Sequence, residues 1–155
     1  MIHNDRHYMQ KALDQAQKAA SIGEVPVGAV VVCEGHIVGR GFNLREHYQD
    51  PSAHAEFRAI LQAARKLKSW RLLGCDVYVS LEPCLMCAGL MHQARIRTCV
   101  FAACDPKAGA LGSLYQIHQD QRLNHRFDVR SGILADESAA ILKSFFRKAR
   151  TKYAK

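Results

Sequence analysis

No run of apolar residues in this chain approaches the roughly 18 that a membrane-spanning helix needs, so a helical membrane anchor is excluded. The opening MIHNDRHYMQ lacks the apolar core of a secretory signal, and a cytoplasmic location is expected. Repeats, low-complexity tracts and linkers rich in Pro, Gly or Ser are also missing. One domain over residues 1–155 is therefore expected, long enough to bury a core without staples. The last absence is acid from KSFFRKARTKYAK, residues 143–155, where Lys143, Arg147, Lys148, Arg150, Lys152 and Lys155 stand unopposed. Across the chain, 22 Lys and Arg face 14 Asp and Glu, a net charge of +8. Such a surplus favours a polyanionic partner. A cationic helix end is also stable on its own account, because it complements the helix dipole.

Six cysteines are present, at 33, 75, 84, 87, 99 and 104. In a reducing compartment they read as buried thiols or metal ligands before they read as a disulfide framework. Cys33, Cys75 and Cys99 sit in or beside apolar strand-like runs, where a small buried hydrophobe is the expected role.

Periodicity then orders the chain. Met9, Ala12, Leu13, Ala16 and Ala19–Ala20 repeat at helical spacing, with Asn4 or Asp5 as N-cap and Gly23 as the stop. VPVGAVVVC and HIVGRGFN read as strands of an antiparallel hairpin turning at Glu34-Gly35. After the polar LREHYQDPS, a helix is expected from about Ala53 to Leu67, with an apolar stripe of Phe57, Ile60, Leu61 and Ala64. DVYVS (76–80) is a strand, a helix runs from near Pro83 to about His92, and TCVFAA (98–103) is a strand. A loop from Cys104 to about Asn124 precedes a fifth strand in RFDVRSG and a final helix from Leu134 to about Thr151. Helices alternating with strands after a hairpin predict an α/β layered fold on a mixed sheet.

Two short motifs carry chemistry: His54-Ala-Glu56 and Cys84-Leu-Met-Cys87, each at the start of an expected helix. Alone, the cysteine pair fits a redox dithiol or structural zinc as well, and the His–Glu pair fits a solvated helix start. Together they say more. A spacing of two turns about 200° around a helix, so His54 and Glu56 would diverge in mid-helix. In the first turn, where Cα–Cβ bonds tilt toward the N-terminus, both can reach one point beyond the helix end. Cys84 and Cys87 do so at i and i+3, with Pro83 suited to the first helical position. The exposed N–H groups there favour thiolate over thiol. Two thiolates and an imidazole give three zinc ligands and leave a fourth tetrahedral position for water. No fourth ligand sits at either motif, Cys104 and His92 are the candidates elsewhere in the chain, and the open site is the favoured reading. Glu56, beside a ligand and free of the metal, is then the proton carrier that a hydrolytic zinc site requires.

HAE followed by PCLMC resembles the signature of the zinc-dependent cytidine/deoxycytidylate deaminase superfamily. EVPVGAVVV, GFN, DPSAHAE, SLEPCLMCAGLM, ARI, DPKAGALGSL, NHRF and GILADE, in that order, are similar to the bacterial tRNA-specific adenosine deaminases from about Tyr8 to Arg147. The resemblance implies a three-layer cytidine-deaminase-like fold with a mixed five-stranded sheet flanked by helices. It implies hydrolysis of adenosine to inosine at the wobble position of a tRNA anticodon stem-loop, with one Zn2+ per subunit on His54, Cys84 and Cys87 and Glu56 shuttling protons. It further implies that Asn43 binds the target nucleoside, that Asp105 contacts the nucleotide backbone or sugar, and that the enzyme is a homodimer. Cys104, directly before Asp105, departs from the residue type expected there.

Of Phe145 and Phe146, one is expected in the core and the other in an RNA groove, with Phe146, Arg147, Lys148 and Arg150 as candidate RNA contacts. The rival reading is a deaminase of a free base or nucleoside such as guanine or cytosine, which has no use for an extended positive surface. A silent RNA-binding module with structural zinc is the rival from another class, and it leaves Glu56 without a role.

Overall fold

The structure, a computed structural model, describes residues 2–153. Lys155 of the basic tail lies outside them. Helix α1 (Ile2–Ser21) leads into the hairpin β1 (Gly28–Cys33) and β2 (His36–Phe42), then the short α2 (Arg45–Tyr48) and α3 (Ala55–Leu67). β3 (Cys75–Leu81), α4 (Leu85–Ala94), β4 (Thr98–Ala103), β5 (Asp128–Ser131) and α5 (Ala135–Tyr153) complete the chain.

The five strands form one mixed sheet in the order β2-β1-β3-β4-β5. β1 runs antiparallel to both β2 and β3, whereas β3, β4 and β5 are mutually parallel. Glu34 and Gly35 both adopt positive φ, 50° and 77°, the pairing a two-residue hairpin turn needs to follow strand twist.

The two-residue period sorts side chains between two cores. Ala29, Val31, Val77, Val79, Cys99 and Phe101 face α3 and α4. Val30, Val32, Tyr78, Val100 and Ala102 face α1, with α5 alongside. The result is the α/β three-layer sandwich, with helices on both faces of the sheet. Cys75 and Cys99 are fully buried as expected, and Cys33 at the end of β1 is half-buried.

Three expectations need correction. α1 is already helical at Ile2, and Asp5 does not cap it. Its carboxylate is buried and spent elsewhere, accepting the Tyr78 hydroxyl at 2.8 Å and both arms of Arg130 at 2.9 Å. The polar stretch after β2 contains α2, which the sequence pattern did not reveal because only one turn is formed. On α3 the buried face is Glu56, Ala59, Ile60 and Ala63, while Leu61 is 39% exposed. The cause lies in β2. Gly39 and Gly41 face α3 without side chains, and the helix backbone approaches so closely that only alanine fits between. Bulk at Leu61 is thereby turned outward.

Candidate active site

β3 and β4 end side by side, and the segments after them, with the end of β2, converge on the N-terminal ends of α3 and α4. Clefts outside the carboxyl ends of parallel strands are where open α/β sheets bind ligands. α3 and α4 begin one residue after His54 and Cys84, a shift from the starts expected near Ala53 and Pro83. His54 and Cys84 are themselves the N-caps, both extended, with φ/ψ of −79°/154° and −78°/177°. Their carbonyls accept the first helical bonds, from Arg58 N–H at 3.0 Å and Ala88 N–H at 2.9 Å. Their side chains make no capping bond, unlike the Ser, Thr or Asp usual at this position. They are free to point past the helix end, and Glu56 and Cys87 join them from the first turn.

His54 Nδ1 stands 3.6 Å from Cys84 Sγ and 3.5 Å from Cys87 Sγ. A tetrahedral zinc ion, with bonds of about 2.1 Å to nitrogen and 2.3 Å to sulfur, would separate such donors by about 3.6 Å. The residues fit the ion. Among the described residues no other group of three or more metal-binding side chains converges in this way. Cys104 is exposed, and buried His92 directs Nδ1 to the His125 carbonyl at 3.3 Å, so neither supplies a fourth ligand. The arrangement is an open three-donor site.

The electrostatics suit a cation flanked by an acid. The Cys84 thiol is held down to about 3, first by its hydrogen bond with Cys87 and then by His54, against the effect of burial, while that same hydrogen bond and burial push the Cys87 thiol up. The hydrogen bond to Cys84 raises His54. Burial pushes the Glu56 carboxyl above its ordinary range, a condition in which it can hold and return a proton.

His54, Cys84 and Glu56 line one cleft with Asn43, Arg45 and Asp105. Its volume, about 210 Å3, lies below the range typical of drug-sized ligands and suits a single planar heterocycle. Asn43 is 8% exposed; its amide donates to the Val25 carbonyl at 3.2 Å, and its Oδ1 accepts Arg45 N–H at 3.1 Å. Asp105 Oδ1 accepts the N–H groups of Lys107 and Ala108, at 3.0 and 3.3 Å.

Sequence reasoning missed Arg45 and two buried carboxylates. Glu24 accepts the N–H groups of Glu46 and His47 and pairs with the His47 ring at 3.0 Å, anchoring α2 and with it Arg45. Glu82 gathers the loop after β4. Burial raises both carboxyls, but the donors around them outweigh it and hold both below the usual carboxylate range. An acid directly before the Pro83-Cys84 step was the only signal for Glu82.

On α5, Phe145 is half-buried and Phe146 is 44% exposed. Phe146, Arg147 and Arg150 share a groove with Lys143 and with Lys107 of the loop that bears Asp105. Lys148 is separated from them, on the side of α5 that faces Gln17 and Ala20 of α1.

Residues 3–150 match the family model of the MafB19-like deaminases. A tRNA-specific adenosine deaminase of Bacillus subtilis (strain 168) is 47% identical over 148 residues, covering 96% of this chain and 92% of that protein. A tRNA-specific adenosine deaminase of Haemophilus influenzae is 45% identical over 147 residues, 94% of this chain and 85% of that one. A solved structure from work on A-to-I editing by tRNA:A34 deaminases at the wobble position superposes with a TM-score of 0.84. It is 43% identical and covers 88% of this chain and 99% of its own.

Proposed function

We infer the reaction from one premise: this chain belongs to the family of tRNA-specific adenosine deaminases and is a deaminase. It converts adenosine to inosine at the wobble position of tRNA by hydrolysis, consuming water and releasing ammonia. The observation that carries this reading is the convergence of His54, Cys84 and Cys87, with His54, Cys84 and the buried Glu56 lining one small cleft.

His54, Cys84 and Cys87 would hold one zinc ion per subunit, and the chemistry such an ion would supply there is a water of lowered pKa, a nucleophile for C6 of adenine. Glu56 ligates nothing. It would take one proton from that water and pass it to the ring nitrogen, then take the second from the hydroxyl left on C6 and give it to the departing amine, so that ammonia leaves and the oxygen stays. Burial suits it to this cycle, since a carboxyl titrating above its usual range returns a proton more readily.

Asn43 binds the target nucleoside with the donor and acceptor capacity left over after its bonds to Val25 and Arg45. Asp105 meets the sugar or backbone through Oδ2, because Oδ1 is engaged by its own turn. The anticodon stem-loop continues over the groove of Phe146, Lys107, Arg147 and Arg150, where an exposed ring can stack on a base and cations can meet phosphates. Lys148 lies outside this groove, exposed on the side of α5 toward α1.

The whole chain works as one deaminase domain in the cytoplasm, and it acts as a homodimer. Leu85 at 49% exposure, next to the Cys84 ligand, and Leu61 on the adjoining α3 support a partner surface beside the site. No helix among the described residues is long and apolar enough to cross a membrane.

The test is parallel incubation of the protein with an anticodon stem-loop, guanine and cytosine. Inosine formation in the stem-loop with no attack on either base is expected. Rapid deamination of a free base with none of the stem-loop would establish the small-molecule reading instead.

A further inference from the structure

The loop from Asp105 to Gln116 forms one wall of the active-site cleft, yet it contains neither helix nor strand and only one isolated bridge, Leu111 to Gln116. Its backbone donors must therefore find partners outside regular structure. Three of them turn to a single side chain. Glu82 Oε1 accepts Asp105 N–H at 3.0 Å and the Ser113 hydroxyl, and Oε2 accepts the N–H groups of Leu111 at 3.1 Å and Ser113 at 3.0 Å. The carboxylate is 3% exposed, so water does not compete for these donors.

The loop is also shaped to admit the carboxylate. A Cβ on Gly109 would overlap both oxygens and the carboxyl carbon of Glu82. The neighbouring Ala110 N–H donates to the Pro83 carbonyl at 2.8 Å. Glu82 and Pro83 directly precede Cys84, so the segment that delivers a metal ligand also sets the course of the loop that delivers Asp105.

We propose that Glu82 is a positioning residue for substrate, its carboxylate gathering the Asp105–Ser113 loop so that Asp105 is fixed against the cleft at a set distance from the metal ligands. The assignment rests on the tRNA-deaminase reading for its substrate. Its structural content stands apart from that reading. A carboxylate only accepts, and both oxygens are needed, since each serves two donors.

Glu82→Gln makes this specific. The amide must place its NH2 where one oxygen was. At the Oε2 position it would oppose two backbone N–H groups. At the Oε1 position it opposes one, that of Asp105, because the Ser113 hydroxyl can rotate to accept. The second arrangement is the less costly, so the substitution should release Asp105 selectively.

The experiment pairs kinetics on an anticodon stem-loop with residue-resolved amide exchange and zinc content. For E82Q, KM is expected to rise about tenfold with kcat changed less than about threefold, the signature of a lost positioning interaction. Zinc stays at the wild-type ratio. The Asp105 amide exchanges at least about tenfold faster, while those of Leu111 and Ser113 stay slow. A general structural role would instead lower kcat and zinc content at unchanged KM, and that result overturns the proposal. Unchanged exchange at Asp105 does so too.

Should E82Q fail to fold, G109A applies the same test from the opposite side by crowding the carboxylate. It should raise KM and expose the Asp105 amide, and a wild-type KM in G109A overturns the proposal. If wild-type protein leaves the stem-loop untouched, the functional reading fails. The amide exchange still decides the role of Glu82.

Discussion

Gly41 of β2 lies so close to Ala55, the residue between His54 and Glu56, that a Cβ on the glycine would overlap the Ala55 carbonyl oxygen. It would also lie 2.8 Å from the Ala59 nitrogen. The depth at which the sheet receives α3 therefore fixes the positions of His54 and Glu56. Gly41→Ala should force the first turn of α3 outward and cost about 1–3 kcal/mol through overpacking. Urea unfolding reads the stability, and single-turnover rates read the displaced first turn. Wild-type stability together with a wild-type rate would refute the coupling.

The roles of His54 and Glu56 separate in metal analysis. Glu56→Ala should keep zinc and stem-loop affinity while slowing turnover by at least roughly 10²–10⁴-fold, because a general acid–base group has gone and a ligand has not. His54→Ala removes one of three donors, and zinc should be lost by dialysis against a mild chelator. Loss of zinc from Glu56→Ala, or near-normal turnover by it, would contradict the assignment.

The convergence of these motifs on one point was legible because it depends on residue type and local spacing. HAE and PCLMC announce donors at two helix starts whatever the tertiary structure, and periodicity marked the hairpin, the strands and the three long helices α1, α3 and α5. What escaped depends on contacts distant in sequence. The close approach of β2 to α3 turns on Gly39 and Gly41, about 14 to 24 residues before the helix residues they contact. Glu24 and Glu82 read as ordinary charged residues until the loops they gather are seen beside them. Lys148 and Arg147 are adjacent in sequence, yet they face different grooves, a distinction made only by the register of α5 on the sheet.

Acid should weaken the fold through Asp5. Burial alone would raise its carboxyl, but the hydrogen bonds from Arg130 and Tyr78 prevail and hold it below its ordinary value of 3.8. A carboxylate depressed by folding contributes stability that is complete above its unfolded pKa and disappears as pH falls through its folded one. The relevant window thus lies at and below about pH 4. Asp5→Asn should lower stability at pH 7 by about 1–2 kcal/mol, and the gap to wild type should close as pH falls through that window. Thermal unfolding of both proteins at stepped pH measures it. A gap that stays constant from pH 7 to below pH 3 would show that the charge of Asp5 contributes nothing.

The α5 groove offers a test in which neighbouring cations should behave differently. If Arg147 and Arg150 meet phosphates, log affinity for a stem-loop falls linearly with log salt, by about 0.7–0.9 for each phosphate neutralised. Replacing both with Gln should weaken binding at low salt and flatten the line by up to about 1.4–1.8. Lys148→Gln should leave slope and affinity unchanged, since Lys148 is exposed on the side of α5 toward α1, outside the groove. Phe146→Ala should do something different again. Losing a stacking surface weakens binding by about 1–3 kcal/mol at every salt concentration, shifting the line without tilting it. Equilibrium binding of a labelled stem-loop across a salt series distinguishes these patterns. Equal slopes in the double Arg variant and the wild type would remove α5 from the RNA surface, and a slope change in Lys148→Gln alone would move that surface to the side of α5 facing α1.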